Sequence, residues 1–300
     1  MKEIHLICNP TSGKGSASHA LNKIKEWASL QPDLKLNVHL TENIGHATSI
    51  ARDLTITNNP VTILVIGGDG SVNEVLNGIQ NFENTTLGIL PYGSGNDFVR
   101  AFGMNNPDPV KLFESYVKNP IVKKIDFLLL NDKYRAINEI GLGLCAEVIA
   151  MRNRMKHFSP KTQYKIATVI KSLFWKSFSY SVSVDGNGPT NVRSMWFTIN
   201  NGVAIGGGMP TAPDAKIDDG LISIMFVKKF NHLKTLHHLL KAKKGKVYEL
   251  KETEKYTCRE IDLQGTNFSL EYDGNLLQNL DHINVKIIPG KLNLLVNKGE

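Results

Sequence analysis

The sequence has few cysteines, no long apolar run and no internal repeat. No apolar run approaches the roughly 18 residues that a membrane-spanning helix requires, and residues 1–5 lead into a strand-like segment instead of a signal-peptide hydrophobic region. We therefore expect a cytoplasmic protein. The three cysteines, Cys8, Cys145 and Cys258, are far apart and lack metal-ligand spacing, which argues against a disulfide framework and a zinc site.

The composition is otherwise that of an ordinary globular protein. Apolar residues make up 41% and charged residues 21% of the 300 residues, so a buried core is attainable, and the length favours two domains. The formal net charge of +7 indicates an anionic partner, such as a nucleotide, a nucleic acid or an acidic membrane, or simply a basic surface. A nucleic acid is disfavoured because the basic residues lack a regular aromatic stacking motif.

Strands and helices are predicted to alternate in the first part of the chain. Apolar segments without a polar face indicate buried strands, and helical patterns follow them. The strands are predicted at residues 4–8, 36–40, 61–66 and 87–90, and the helices at 16–30, 47–57, 72–79 and 97–102. This order is typical of a parallel sheet covered on both faces, which binds ligands at the carboxyl ends of its strands. We predict an α/β nucleotide-binding domain over residues 1–127.

The later part of the chain is rich in short β segments separated by turn residues. Strands are predicted at residues 179–184, 194–199, 221–227, 268–272 and 283–288, with helices at 161–175 and 232–243. We predict a mainly antiparallel β domain over residues 128–288. The C-terminal segment 289–300 is assigned separately, with a return to the first domain as one option.

Three polar, glycine-rich loops follow the predicted parallel strands and should converge. Gly67-Gly68-Asp69-Gly70 opens a helix, whose free N–H groups suit a phosphate, although a tight turn with a capping Asp is the alternative. Residues 9–15 superficially suggest a Walker loop but lack its leading glycine and its Ser or Thr, so either a nucleotide-contacting loop or an ordinary turn fits. In residues 91–97, Ser94 could donate to a phosphate, and Asp97 could bind a metal-linked water or cap the next helix.

Taken together, these loops resemble the diacylglycerol kinase catalytic family, in particular its soluble bacterial lipid kinases. The matching motifs are residues 9–15, 67–78, 91–98, 206–208, 212–221 and 273–274. The resemblance implies a two-domain architecture shared with NAD kinases and an ATP-dependent transfer of the γ-phosphoryl group to a lipid hydroxyl. Diacylglycerol, converted to phosphatidic acid, is the expected acceptor.

The resemblance also implies a set of ligand contacts. The positions implicated in binding ATP, together with the first loop, are Asn9, Thr41, Gly67, Gly68, Asp69, Gly70, Ser71, Val72, Asn73 and Ser94. A structural Mg²⁺ site is implied at Lys216, Asp219 and Leu221, where a plain Asp-Gly turn is the alternative. We further expect Asp69, Asp97 and Asp126 to form an acidic network around catalytic Mg²⁺, with Asp69 taking part in catalysis.

The largest departure from the family pattern lies in the late Asp-Gly-Glu motif, which reads Asp273-Gly274-Asn275 here. An amide cannot accept a proton as a general base, so Asp273 is the expected catalytic base across the interdomain cleft, with Glu271 as a substitute and a plain hairpin turn as the alternative. A nucleotide- or lipid-binding regulator with weakened catalysis is therefore one alternative function. An NAD kinase is the other, because Asn138-Glu139 resembles a pair found in that family.

Access to a lipid is predicted from a segment that mixes lysines and leucines. Residues 228–246 could lie on anionic lipid as a peripheral membrane contact, or could cover their own domain with the lysines in solvent. Residues 166–175 could line an acyl pocket, although core packing is the simpler role. A homodimer is one option for assembly.

Overall fold

Short apolar runs in the first part of the chain form a parallel sheet. Its strands are β1 (Lys2–Cys8), β2 (Leu34–Leu40), β3 (Val61–Gly67) and β4 (Thr85–Pro91). They are paired in the order β2-β1-β3-β4, and the end of a long last strand, β15 (Asn275–Val296), adds parallel to β4 through the pairs Asn293–Thr86 and Leu294–Leu87. The predicted strands of this sheet are confirmed.

The computed structural model describes residues 1–103, 108–155, 160–174, 177–228 and 246–297. The chain divides into two compact units, which we call unit 1 and unit 2. Unit 1 comprises Met1–Asp126 with Gly290–Glu300, and unit 2 comprises Phe127–Pro289.

The helices of unit 1 connect its parallel strands. They are α1 (Ser16–Ser29), α2 (His46–Thr55), α3 (Asp69–Gly78) and α4 (Pro109–Lys118), with short 3-10 helices at Ser12–Gly15 and Phe98–Phe102. Helix α1 packs against α4 through an edge-to-face contact between Trp27 and Phe113, and α2 packs against α3 at Gly78. The segment predicted as a helix at 97–102 is instead the short 3-10 helix Phe98–Phe102.

The strand order of unit 1 reverses direction between β1 and β3. The chain moves from β1 outward to β2, then crosses to β3 on the other side of β1 and continues to β4. Such a switch point leaves a crevice at the carboxyl ends of the two central strands, where ligands bind in open α/β sheets. The loops after β1 and β3 are the ones that flank it.

Unit 2 is built on antiparallel pairing. Its strands are β5 (Ile121–Leu130, which starts in unit 1), β6 (Tyr134–Ala136), β7 (Glu139–Gly143), β8 (Phe178–Val184), β9 (Thr190–Asn200), β10 (Ala204–Ile205), β11 (Met209–Pro210), β12 (Ile222–Lys228), β13 (Thr253–Cys258), β14 (Glu260–Tyr272) and most of β15. Strands β7 and β8 each pair with both β9 and β14, and β12 and β13 extend the sheet beyond β9. The predicted β-rich second part is confirmed.

Two helices accompany these strands and pack against each other, α5 (Leu144–Arg154) and α6 (Pro160–Leu173). The helix predicted at 161–175 corresponds to α6, whereas the one predicted at 232–243 lies outside the described residues. In the core, the Phe197 ring stacks on Phe226 and meets Tyr180 edge to face. Within the part of the chain that the structure describes, no helix is both long and apolar enough to cross a membrane.

Candidate active site

The three glycine-rich loops of unit 1 meet at the carboxyl ends of β1, β3 and β4. Tyr92 N donates to Gly67 O at 2.7 Å, and a Cβ added to Gly93 would lie only 2.3 Å from Gly68 Cα. A Cβ on Gly13 in the first loop would lie 3.1 Å from Tyr92 O. The predicted convergence of the loops is confirmed, and it depends on backbone approaching backbone.

Asn9 organises the first loop. Its Oδ1 accepts hydrogen bonds from Thr11 N at 3.1 Å and Thr11 Oγ1 at 2.8 Å, and its own N–H donates to Ile66 O at 3.1 Å. Thr41 follows β2 and donates its N–H to Cys8 O, which places it beside the same strand ends. Asn9 therefore shapes the loop with its side chain, and the contact of Asn9 and Thr41 with ATP stays a prediction.

Two carboxylates flank Gly95 in the third loop. A Cβ at Gly95 would lie 3.0 Å from both Asp69 Oδ2 and Asp97 Oδ2, and Phe98 N donates to Asp69 Oδ1 at 3.3 Å. Burial raises the pKa of the Asp69 carboxyl, and the backbone N–H groups of Asp97 and Phe98 partly oppose that shift. The two carboxylates thus lie on either side of Gly95, and α3 begins beside them with an N-terminus that favours a phosphate.

The rest of the third loop is held by local contacts. Asn96, with φ +52°, accepts a hydrogen bond from Gly93 N at 2.7 Å, and it leaves Ser94 exposed. Asp97 makes no capping hydrogen bond to the 3-10 helix that follows but lies 3.5 Å from Arg100 Nε. The Asp97 side chain therefore does not cap the 3-10 helix Phe98–Phe102, which was the alternative considered from the sequence.

The side chains of Val72 and Asn73 do not reach the loop surface. Each is 2% exposed, and Asn77 Nδ2 donates to Asn73 Oδ1 at 3.1 Å within α3. Their predicted contact with a nucleotide can therefore concern their backbone alone. Gly67, Gly68, Gly70 and Ser71 stand at the end of β3 and in the first turn of α3, as expected.

Asp126 is the third carboxylate of the predicted acidic network. Asp126 is 1% exposed in β5, and its Oδ1 accepts a hydrogen bond from Gly290 N at 2.7 Å. Among the residues that the structure describes, no three His, Cys, Asp or Glu side chains are grouped so that they could hold a metal ion. Asp126 is engaged with the backbone where the chain re-enters unit 1, and its part in an acidic network with Asp69 and Asp97 stays a prediction.

The proposed structural Mg²⁺ site lies in an exposed loop of unit 2. Asp219 Oδ1 accepts a hydrogen bond from Leu221 N at 3.0 Å, around Gly220 with φ +70°, and the Lys216 side chain is exposed. This geometry is that of an Asp-Gly turn, the alternative considered from the sequence. A metal at this loop stays a prediction.

Asp273 forms the tip of the β14–β15 hairpin in unit 2. Asp273 and Gly274 have φ of +44° and +87° between the paired Tyr272 and Asn275, which is typical of a two-residue type I′ turn. Asp273 is 7% exposed. Its carboxylate accepts three backbone hydrogen bonds. They come from Ile137 N at 2.7 Å and from Asn138 N and Glu139 N at 3.0 Å each. Asp273 thus anchors a neighbouring segment, and its role as a base stays a prediction.

Sequence reasoning missed Arg152 of α5 beside this turn. Arg152 Nη2 donates to Gly274 O at 3.3 Å, while Glu271 Oε2 accepts from Gly274 N at 3.0 Å. No motif marks Arg152, because its position depends on how α5 packs against β14. Only the alternating pattern of β14, which brings Glu271 to the face of Asp273, was readable in advance.

Two family models match successive parts of the chain. Residues 3–129 match the diacylglycerol kinase catalytic domain, and residues 138–296 match the YegS C-terminal NAD kinase beta sandwich-like domain. A diacylglycerol kinase of Bacillus subtilis (strain 168) is 29% identical over 233 residues, which cover 77% of this chain and 75% of the relative.

Two solved structures share the fold. A diacylglycerol kinase from Bacillus anthracis str. Sterne has a TM-score of 0.71 at 22% identity, covering 99% of this chain and 97% of that one. An NAD kinase from Archaeoglobus fulgidus, solved in complex with ATP, has a TM-score of 0.50 at 13% identity, covering 99% and 94%. At these sequence identities, the two structures establish a shared fold alone.

An α/β unit with phosphate-type loops at a switch point, followed in the chain by an antiparallel β unit, defines the two-domain class of diacylglycerol kinases and NAD kinases. Within this class, the chain belongs to the diacylglycerol kinase catalytic family. It is accordingly a lipid-kinase-type phosphotransferase with an alcohol group as acceptor.

Proposed function

We propose that the protein transfers the γ-phosphoryl group of ATP to the hydroxyl of diacylglycerol and so forms phosphatidic acid. The observation that carries the nucleotide part is the contact of Gly68 with Gly93, which brings two loops together at the start of α3. A helix N-terminus and open backbone N–H groups suit the phosphates of ATP. The acceptor is proposed from the relatives, including the Bacillus subtilis diacylglycerol kinase.

Mg²⁺ is proposed to bind beside these loops through two carboxylates. In proteins it usually keeps several waters and binds through one or two carboxylates together with the phosphates of the substrate. Asp69 and Asp97, on either side of Gly95, are the residues that would hold it. Bound there, Mg²⁺ would neutralise charge that develops on the transferred phosphoryl group.

Phosphoryl transfer requires mostly positioning and charge stabilisation, with one proton to remove from the acceptor. The hydroxyl oxygen of the acceptor forms a bond to the γ-phosphorus. The bond between the γ-phosphorus and the oxygen that bridges the β- and γ-phosphates breaks, and ADP leaves. We propose Asp273 as the proton acceptor, because it is the carboxylate of the motif and Asn275 cannot take a proton. The proton is then released to solvent.

An assay with ATP labelled in the γ-phosphate tests this function. Purified protein is incubated with diacylglycerol in mixed micelles, with total membrane lipid and with NAD, and the labelled products are identified. We expect label in phosphatidic acid and none with Asp69→Asn, whereas Asp53→Asn on the exposed face of α2 should behave as wild type. Label in the NAD arm, or equal turnover by Asp69→Asn, would contradict the proposal, and tight ATP binding without turnover would indicate a regulator.

Membrane contact is the remaining part of the proposal. In the basic segment 228–246, Lys228 is ion-paired with Glu254, and residues 229–245 lie outside the described part of the chain. A net charge of +7 favours anionic over neutral vesicles at low salt, with loss of binding as salt rises. Sedimentation with both vesicle types measures this, and equal binding would count against electrostatic recruitment.

A further inference from the structure

Two buried glutamates lie side by side next to the Asp273–Gly274 turn. Glu139 at the start of β7 is 5% exposed, and Glu271 near the end of β14 is 3% exposed. Their strands are paired, with Glu271 opposite Gly141, so both side chains project from the same face. The two carboxyl groups are close enough for a hydrogen bond between them to be one of the influences on the pKa of Glu271.

Gly141 provides the space for this pair. A Cβ added to Gly141 would lie 2.8 Å from Glu271 Oε1 and 2.5 Å from Cys145 Cβ. Trp196 Nε1 donates to Cys145 Sγ at 2.8 Å and closes the same side. The carboxyl groups therefore occupy a closely packed position in which solvent has little access.

Two ionised carboxylates cannot form a hydrogen bond to each other, so a pair that shares this bond holds one proton. Glu271 is the ionised member, because its Oε2 accepts the Gly274 N–H and the charge of Arg152 acts on it. Glu139 then donates the shared proton. This arrangement places a single negative charge in the interior, beside one cation.

The shared proton is coupled to the shape of the turn. Gly274 N donates to Glu271 Oε2 at 3.0 Å, and Gly274 O accepts from Arg152 Nη2 at 3.3 Å. Both polar backbone groups of this glycine are thus held by charged side chains, while the Asp273 carboxylate is fixed by backbone N–H groups. Any change in the Glu139–Glu271 contact is transmitted directly to the residue proposed as proton acceptor.

We propose that Glu139 and Glu271 are positioning residues of the kinase reaction, which hold the Asp273–Gly274 turn through one shared proton. This inference rests on the proposed function for its link to phosphoryl transfer. Loss of the shared proton would place two carboxylates in contact, repel them and release Gly274. Activity should therefore decline as the pH rises through the titration of the pair.

The direction of this titration follows from the surroundings. Burial raises the pKa of Glu271, and the hydrogen bonds from Glu139 and Gly274 and the charge of Arg152 oppose the shift. Cys145 faces the pair from α5, and burial followed by the two glutamates raises its thiol pKa. Asp273 is the remaining charged group at the turn. A raised carboxyl pKa stabilises the fold most below the ordinary value of 4.5, and this contribution is lost as the pH rises towards the folded-state value.

Glu139→Gln tests the shared proton, because the amide supplies a permanent N–H donor where the proton was. We expect the high-pH to low-pH activity ratio to rise relative to wild type. Glu139→Ala should lower turnover about tenfold or more at every pH, since misplacing a reacting group can cost about 100-fold. Glu147→Gln, an exposed glutamate of α5 paired with Lys171, is the matched control and should leave the pH profile unchanged.

A second measurement separates this inference from the proposed function. The midpoint of thermal unfolding without substrates should fall as the pH rises in wild type, and fall less in Glu139→Gln. Identical unfolding profiles would overturn the shared proton, even if the protein phosphorylates diacylglycerol. Altered unfolding with an unchanged activity profile would overturn the positioning role, whereas absence of lipid kinase activity with altered unfolding would contradict the proposed function alone.

Discussion

At the scale of single residues, the proposed phosphate site depends on positions that have no side chain. Gly68 and Gly93 let two loops approach to backbone contact, and Gly95 leaves room for Asp69 and Asp97. These glycines were recognised from the sequence as phosphate-loop residues. Which glycine meets which could not be read in advance, because the contact joins loops that follow different strands.

Gly93→Ala tests this contact. Its Cβ would lie 2.3 Å from Gly68 Cα and 2.6 Å from Asn96 Oδ1, so the backbone of at least one loop must move. We expect turnover to fall by about 100-fold, because displacements of about 1 Å have effects of that size. Gly188→Ala is the control, since nothing lies within 4 Å of its added Cβ. Steady-state kinetics for ATP give the result, and near-normal values for Gly93→Ala would contradict the site.

The Asp273 turn offers a second test at this scale. Asp273→Asn keeps an oxygen for two of the three backbone N–H groups but turns its amide towards the third. We expect loss of turnover together with about 1–3 kcal/mol of stability. Asn275→Glu restores the acid of the family motif without touching these bonds. If Asp273 is the base, Asn275→Glu should not rescue Asp273→Asn in the lipid kinase assay, and rescue would move the base to position 275.

At the scale of elements, the alternating apolar pattern predicted most of the parallel sheet but not every helix. Strands β1 to β4 were readable because each is a short apolar run that ends in turn residues. Helix α4 was not predicted, although Asp108 caps it and Pro109 starts it. Helix α5 was also missed, because its apolar residues do not segregate to one side and it begins after Gly143 with φ +67°.

Helix α3 carries two glycines with opposite expected effects on stability. A Cβ on Gly78 would lie 2.4 Å from Thr48 O and 2.7 Å from Ala51 Cβ in α2, whereas a Cβ on Gly70 meets nothing within 4 Å. Gly78→Ala should therefore cost about 1–3 kcal/mol by overpacking. Gly70→Ala should be neutral or gain up to about 1 kcal/mol from helix propensity. Urea denaturation compares the two, and equal effects would contradict the close packing of α2 on α3.

At the scale of the whole molecule, unit 1 is completed by residues from the far end of the chain. The last part of β15 pairs with β4, and Leu292, Leu294 and Leu295 are buried there. Ser115 Oγ also donates to Asn297 Oδ1 at 3.0 Å. The core of unit 1 thus includes a segment that contains none of the glycine-rich motifs.

Truncation tests this dependence. A chain that ends at Pro289 loses three buried leucines, each worth about 2–5 kcal/mol, which together approach the whole stability of an ordinary domain. We expect it to lose ATP binding and the cooperative unfolding of unit 1. A chain that ends at Asn297 keeps the paired strand and should behave as the 300-residue chain does. Retention of ATP binding after truncation at Pro289 would show that the strand is dispensable.

The sequence alone determined the alternation of strands and helices, the family and the loops at the strand ends, because these depend on local patterns and motif spacing. Tertiary structure decided which groups meet. Asp126 accepts a hydrogen bond from Gly290, and the side chains of Val72 and Asn73 are buried. Glu139 lies beside Glu271 across paired strands. Such contacts join residues far apart in the chain, and their existence depends on register and packing, which no local pattern encodes.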